Sequence, residues 1–207
     1  VEIGSWKGKS TVWLGNGIRN NPEAKLFSID PHYGDRKNGC DKEDTYSEFK
    51  KNIRKAKLVE TVTLIRKTSE EAGKEFSEKI DLLFIDGGHS YEEANSDFTV
   101  WSKKLNPGAW VVFHDATILP GPWKAARDGI FFSPRYRSTG MLGSMVFGRF
   151  TNPQALNRQA TNLLKNLITC LFTSIYARMR KIYFPRALRN IIRKFNFKRR
   201  VNQLQND

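Results

Sequence analysis

The chain has 207 residues, enough for one full hydrophobic core and an appendage. Its net charge is +14, but +11 of that lies after residue 151, where twelve Lys and Arg stand against the single acid Asp207, so the body is an ordinary near-neutral globular domain. Two isolated cysteines, Cys40 and Cys170, exclude a CxxC zinc site and a disulfide framework, and point to a reducing, cytoplasmic compartment.

The chain opens on an apolar strand end, Val1–Ile3, followed by Gly4-Ser-Trp-Lys-Gly8-Lys-Ser10. Two glycines at a strand-to-helix turn let the backbone wrap closely around a ligand. A ligand loop at the first residue implies a piece of a longer chain, truncated at its N-terminus. Gly8-Lys9-Ser10 has the ending of a phosphate-binding P-loop, and Ile80–Asp86 is the kind of apolar strand whose terminal Asp helps to hold magnesium there, which leaves a phosphotransferase as one reading. That motif spaces its glycines by four residues to build a nest of amides, whereas Gly4 and Gly8 are separated by three.

Further strands are predicted at Lys25–Asp30, Thr61–Arg66, Ile80–Asp86 and Ala109–Asp115. Helices are predicted at Lys9–Arg19, Tyr46–Ala56, Ser69–Phe76 and Tyr91–Leu105. The third is opened by Ser69 as its cap, and Asn106-Pro-Gly108 stops the fourth. This βαβ rhythm predicts an α/β fold: a Rossmann-like, doubly wound, mostly parallel sheet. The runs Leu82–Ile85 and Trp110–Phe113 are apolar throughout, as for strands covered on both faces. Phe132–Tyr136 and Met145–Phe150, joined by a Ser138-Thr-Gly140 turn, predict an antiparallel hairpin on the sheet edge. Pro31–Thr45 is a long polar stretch placed to act as a lid.

Several acids fall at strand ends. Asp30 closes the second strand, where a carboxylate can accept from ribose hydroxyls; a turn former is the alternative. Asp86 and Asp115 close the fourth and fifth strands, and adjacent parallel strands deliver both to one edge of the sheet. Together they make a hard, oxygen-rich site for magnesium or a similar divalent ion, unless they only cap strand ends. His89, three residues beyond Asp86, is placed to take a proton from a hydroxyl or to brace the Gly87-Gly88 turn. His114 is a nitrogen ligand to the same metal, a group that orients the ligands, or a core histidine. Asp97 and Trp101, one helical turn apart, are expected to bridge their helix to the sheet. His32 lies near the ribose position or is a surface loop residue, Trp6 is placed to shield a ligand, and Gly121-Pro122-Trp123 to line an acceptor pocket.

From Leu156 the apolar residues recur three and four apart as far as Met179, the pattern of an amphipathic helix ending before Pro185. A shorter segment with Leu188, Ile191, Ile192 and Phe195 repeats it among basic residues. We expect residues 1–150 to form the catalytic domain and residues 151–207 a basic helical extension. An aliphatic face flanked by Lys and Arg suits the surface of an anionic membrane over the 156–200 stretch. Packing on its own domain or in a homo-oligomer is the alternative, and nucleic acid is disfavoured because no nucleic-acid motif is present.

Glu2-x-Gly4-x-x-x-Gly8 resembles the first motif of class I S-adenosylmethionine-dependent methyltransferases. Adding Ile29-Asp30, Ile85-Asp86-Gly-Gly-His89-Ser-Tyr91, Asp97, Trp101, Asn106-Pro-Gly108 and Phe113-His114-Asp115, residues 1 to 150 resemble one family within them. It includes macrocin-type sugar O-methyltransferases and cephalosporin hydroxylase-like proteins. The resemblance implies that Glu2, Gly4, Gly8, Asp30, Ser69 and Asp86 bind S-adenosyl-L-methionine, Ser69 near the adenine. It also implies that Asp86, His114 and Asp115 lie at a divalent metal, that His89 is the base, and that the acceptor is the hydroxyl of a sugar or another polyhydroxy small molecule. His114 stands where metal-binding members often carry an acid. A non-catalytic methyltransferase-like protein recruited to a membrane by its tail is the opposing reading.

Overall fold

The computed structural model describes residues 1–33, 44–151 and 156–183. The expected lid lies largely outside the described residues, as do Cys40 and the second basic segment.

Among the described residues seven strands form one sheet: β1 (Glu2–Ile3), β2 (Leu26–Ile29), β3 (Val62–Ile65), β4 (Ile80–Ile85), β5 (Leu105–Phe113), β6 (Tyr136–Leu142) and β7 (Met145–Phe150), in the spatial order β3-β2-β1-β4-β5-β7-β6. The first five run parallel, and β7 pairs antiparallel with both β5 and β6. The chain proceeds outward from β1 through β2 to β3, then returns to lay β4 on the other side of β1. That reversal opens a crevice beyond the carboxyl ends of β1 and β4, the place where such sheets bind ligands.

Helices α1 (Lys9–Ile18), α2 (Thr45–Lys55), α3 (Ser69–Glu75), α4 (Tyr91–Trp101), α5 (Pro120–Ala126) and α6 (Leu156–Tyr183) complete the fold. β3 shows how the layers form, since successive side chains leave a strand on opposite faces. Val62 and Leu64 pack with Phe49, Ile53 and Leu58 around α2, whereas Ile65 joins the larger core that contains Ala72, Trp101, Val111, Phe113 and Ile130. The sheet is therefore covered on both sides.

Some boundaries differ from expectation for local reasons. The cap of α3 is Thr68, whose hydroxyl accepts from the Glu71 amide while the Glu71 carboxylate accepts from Thr68; Ser69 is already helical. α4 ends at Trp101 and a 3-10 turn, Ser102–Lys104, follows, so Asn106-Pro-Gly108 lies inside β5, with Gly108 at φ +93°. β5 is not covered throughout, because Trp110 is 37% exposed and meets Phe147 edge to face. The hairpin turns at Gly143-Ser144. Ser138-Thr139 is instead an irregularity within β6 and Phe132 precedes the strand. Contacts divide the chain into two compact units, Val1–Cys170 and Leu171–Asp207.

Candidate active site

The glycine loop lies against the end of β4. Gly4 adopts φ +83°, and a Cβ there would come within 2.3 Å of the Asp86 carbonyl oxygen. Gly8, at φ +82°, sits under Phe49 and starts α1. Both positions need glycine, one for the close approach of two backbones and both for the left-handed conformation. Glu2 is fully buried beneath this loop; its Oε2 accepts from Thr11 and Ser28 hydroxyls at 2.5 and 2.8 Å. Burial pushes its pKa up, with the hydroxyls of Ser10, Thr11 and Ser28 pulling the other way.

Asp30 ties the loop down. Its Oδ2 accepts from the amides of Ser5 at 2.9 Å and Trp6 at 2.7 Å, and its Oδ1 from the amide of His32 at 2.7 Å. A carboxylate offers about four lone-pair positions, so among the described residues one on Oδ1 stays open. Trp6 is exposed. His32 is not a surface residue: it is 7% exposed, its Nδ1 lies 3.1 Å from Thr45 Oγ1, and its ring packs between Tyr46 and Phe49. Burial lowers its pKa.

Ser69 belongs to a different cluster, one turn of chain beyond β3. Its hydroxyl accepts from Trp101 Nε1 at 2.9 Å and also bonds the carboxyl of Asp97. Asp97 is 8% exposed, burial pushes its pKa up to about 6, and its Oδ2 lies where a side chain on Gly87 would be. One buried carboxyl thus links the start of α3 to the turn after β4. The spacing of Asp97 and Trp101 suggests a bridge from helix to sheet, but it does not name Ser69 and the Gly87 turn as the partners of Asp97.

At the ends of β4 and β5, one ligand atom each from Asp86, His114 and Asp115 lies within 4.8 Å of the others. His114 Nδ1 is 2.9 Å from Asp86 Oδ1 and 3.4 Å from Asp115 Oδ1, yet makes no aligned hydrogen bond to either. Three donor atoms converging without hydrogen-bond alignment suit a shared cation. The Asp86 carboxylate raises the His114 pKa, burial opposing. His114 Nε2 is 3.3 Å from the Ser144 hydroxyl of the hairpin turn, a partner that sequence spacing did not suggest. Asp115 has φ +54°, an uncommon conformation for a residue with a side chain, and its carbonyl accepts from the Ile118 and Leu119 amides. His89 is half-exposed, its Nε2 3.8 Å from Asp115 Oδ2. Gly121 packs on the His89 carbonyl, and Pro122 joins His89 and His114 in a small recess.

Five buried side-chain polar atoms lack a hydrogen bond among the described residues. Four of them belong to Glu2, Ser5, His32 and His114, all at or beside this crevice. Buried groups without partners are rare in native proteins, so their concentration here fits a site whose polar partners come with a ligand.

A profile for a methyltransferase domain matches residues 1–116. The uncharacterized protein y4gI of Sinorhizobium fredii is 31% identical over 153 residues, which is 69% of this chain but only 16% of that protein. The fold resembles the O-methyltransferase NovP, with a TM-score of 0.60 and 18% identity over 73% of this chain and 71% of that one. It also resembles the O-methyltransferase TomG of Streptomyces achromogenes, solved in complex with S-adenosylmethionine, with a TM-score of 0.54 and 17% identity over 73% and 72% of the two chains. The matched stretch begins with the glycine loop and ends just after Asp115, so it contains both halves of the crevice, and the phosphotransferase alternative is set aside. The chain belongs to the class I S-adenosylmethionine-dependent methyltransferases.

Proposed function

We propose that this chain transfers the methyl group of S-adenosylmethionine to a hydroxyl of a small molecule, assisted by a divalent cation, magnesium or another ion that accepts the two carboxylates. The observation that carries the reading is the meeting of the Gly4 loop with Asp86, beside the cluster of Asp86, His114 and Asp115. Two carboxylates and an imidazole are ligands that a hard or borderline divalent ion accepts.

In this reading Gly4 and Gly8 keep the loop free of side chains where the amino-acid part of the cofactor lies. The unpartnered Glu2 Oε1 beneath it answers the positive ammonium, directly or through water. Asp30 receives a ribose hydroxyl at its open Oδ1 position, and Ser69 borders the adenine. Asp86, His114 and Asp115 would hold the metal. When bound, the cofactor supplies an electrophilic methyl group and the metal lowers the pKa of an acceptor hydroxyl. His89, half-exposed at the mouth, takes the hydroxyl proton, and the Asp115 carboxylate steadies the resulting imidazolium. A sugar or another polyhydroxy compound would offer such a cation two adjacent oxygens.

Calorimetry tests this: S-adenosylmethionine titrated into the chain with and without magnesium, alongside Asp30→Ala. Micromolar binding weakened in the variant is the expected result, followed by a screen of hydroxylated acceptors. A folded chain with no affinity for the cofactor would instead favour a non-catalytic, recruited methyltransferase-like protein.

A further inference from the structure

α6 is turned inside out. Within the first unit Asn166 faces the domain: it is 1% exposed, its Nδ2 donates to the carbonyls of Ser133 and Tyr136, and its Oδ1 accepts from Thr139. Cys170, on the same side, joins the core. Leu164 and Ile168, at 61% and 48% exposed, and Leu167 point the opposite way. In the second unit, taken by itself, Leu171, Phe172, Ile175 and Met179 recur three and four apart and are exposed. A helix that buries polar residues and displays its leucines presents an apolar stripe that calls for a partner.

The charge around the stripe selects the partner. The chain carries no acid between Asp128 and Asp207, and its basic excess is concentrated there. Two copies meeting through this face would bring like charges together, whereas an anionic bilayer offers both an apolar interior and opposite charge. No described helix is long and apolar enough to cross a membrane, so the stripe would lie in the interface.

Beside the stripe, between β6 and α6, is a pocket of about 360 Å³ whose lining includes Arg137, Ser138, Thr139, Asn162, Lys165 and Ile168. None of these is acidic. Asn162 Nδ2 is shielded there without a hydrogen bond among the described residues, and Ile168 belongs to both the pocket and the stripe. Two cations and an unpartnered amide donor are the recognition set for a phosphate.

We infer that α6 docks this protein onto an anionic membrane surface, its apolar stripe entering the interface and the Arg137–Lys165 pocket seating a lipid phosphate. The inference is independent of the methyl-transfer reading. It predicts co-sedimentation of the full chain with vesicles of equimolar phosphatidylglycerol and phosphatidylcholine, and little with phosphatidylcholine alone. Leu164→Ser with Ile168→Ser, and separately Arg137→Gln with Lys165→Gln, should each weaken vesicle binding about tenfold while far-ultraviolet circular dichroism stays unchanged. Four results overturn it: no binding to the anionic vesicles, binding indifferent to the serine pair, binding indifferent to the glutamine pair, or a serine pair that dissolves a dimer without any vesicle association. The glutamine pair keeps the test open if the serine pair does not fold.

Discussion

The α-carbon of Gly4 is held so close to the Asp86 carbonyl that any side chain at position 4 would overlap it, a Cβ falling 2.3 Å from that oxygen. The two strands of the switch point are therefore joined backbone to backbone. Gly4→Ala meets both this clash and φ +83°, and should cost roughly 3 kcal/mol of stability, read as a lower midpoint in urea unfolding. Gly17→Ala, where nothing lies within 4 Å, is the control and should be neutral or slightly stabilising.

Asp30 serves the loop before it serves a ligand. Asp30→Ala leaves the Ser5 and Trp6 amides without an acceptor, so thermal stability should fall together with cofactor affinity, the latter by at least tenfold. Asp30→Asn keeps one acceptor oxygen and should fall between wild type and alanine in both calorimetry and thermal melts. Equal loss in the two variants would argue against the hydrogen-bond account.

Asp97 gives the fold a pH signature. Burial raises its carboxyl from the ordinary 3.8 to about 6, so between those values the folded chain holds a proton that the unfolded chain has released. Its contribution is therefore greatest below about pH 4 and is lost as pH rises through about 6, a component on the order of 2 kcal/mol. Asp97→Asn should flatten that part of the stability curve in urea titrations taken from pH 4 to 7. An unchanged curve would show that Asp97 ionises normally.

The cluster of His114 with two aspartates can be tested without an acceptor. Manganese binding followed by electron paramagnetic resonance should weaken more than tenfold in Asp86→Asn and in Asp115→Asn, and less in Ser144→Ala, which only relaxes the His114 ring. Comparable binding by all three variants would remove the cation from the proposed chemistry.

The parallel strands were legible because each is a short apolar run, four of the five closed by Gly4, Asp30, Asp86 or Asp115, and the sheet delivers those ends to one edge. α1 to α3 were legible to within a residue or two, with Thr68 in place of Ser69 as the cap because its hydroxyl and Glu71 satisfy each other's amides. What sequence could not display is where side chains go once elements pack. His32 reads as a loop residue until Tyr46 and Phe49 enclose it, and Asp97, expected to bridge its helix to the sheet, shows Ser69 and the Gly87 turn as its partners only once the elements pack. α5 (Pro120–Ala126) and the π turn Arg127–Phe131 carry too short a pattern to announce a helix, though they bury Ala125, Ala126, Ile130 and Phe131. The amphipathic period of α6 was visible, but a period names two faces without saying which is inside.

The irregularity at Ser138-Thr139 has a bearing on how molecules of this protein coexist. Among the described residues β6 ends the sheet, and a straight, flat terminal strand is a template on which another chain can add itself. At Ser138 the backbone turns to φ +50° and the pairing with β7 slips between Arg137 and Gly140, so the row of amides and carbonyls is broken midway. Such a kink shortens any run to which a foreign strand could attach, and protects crowded copies of the protein from fusing edge to edge.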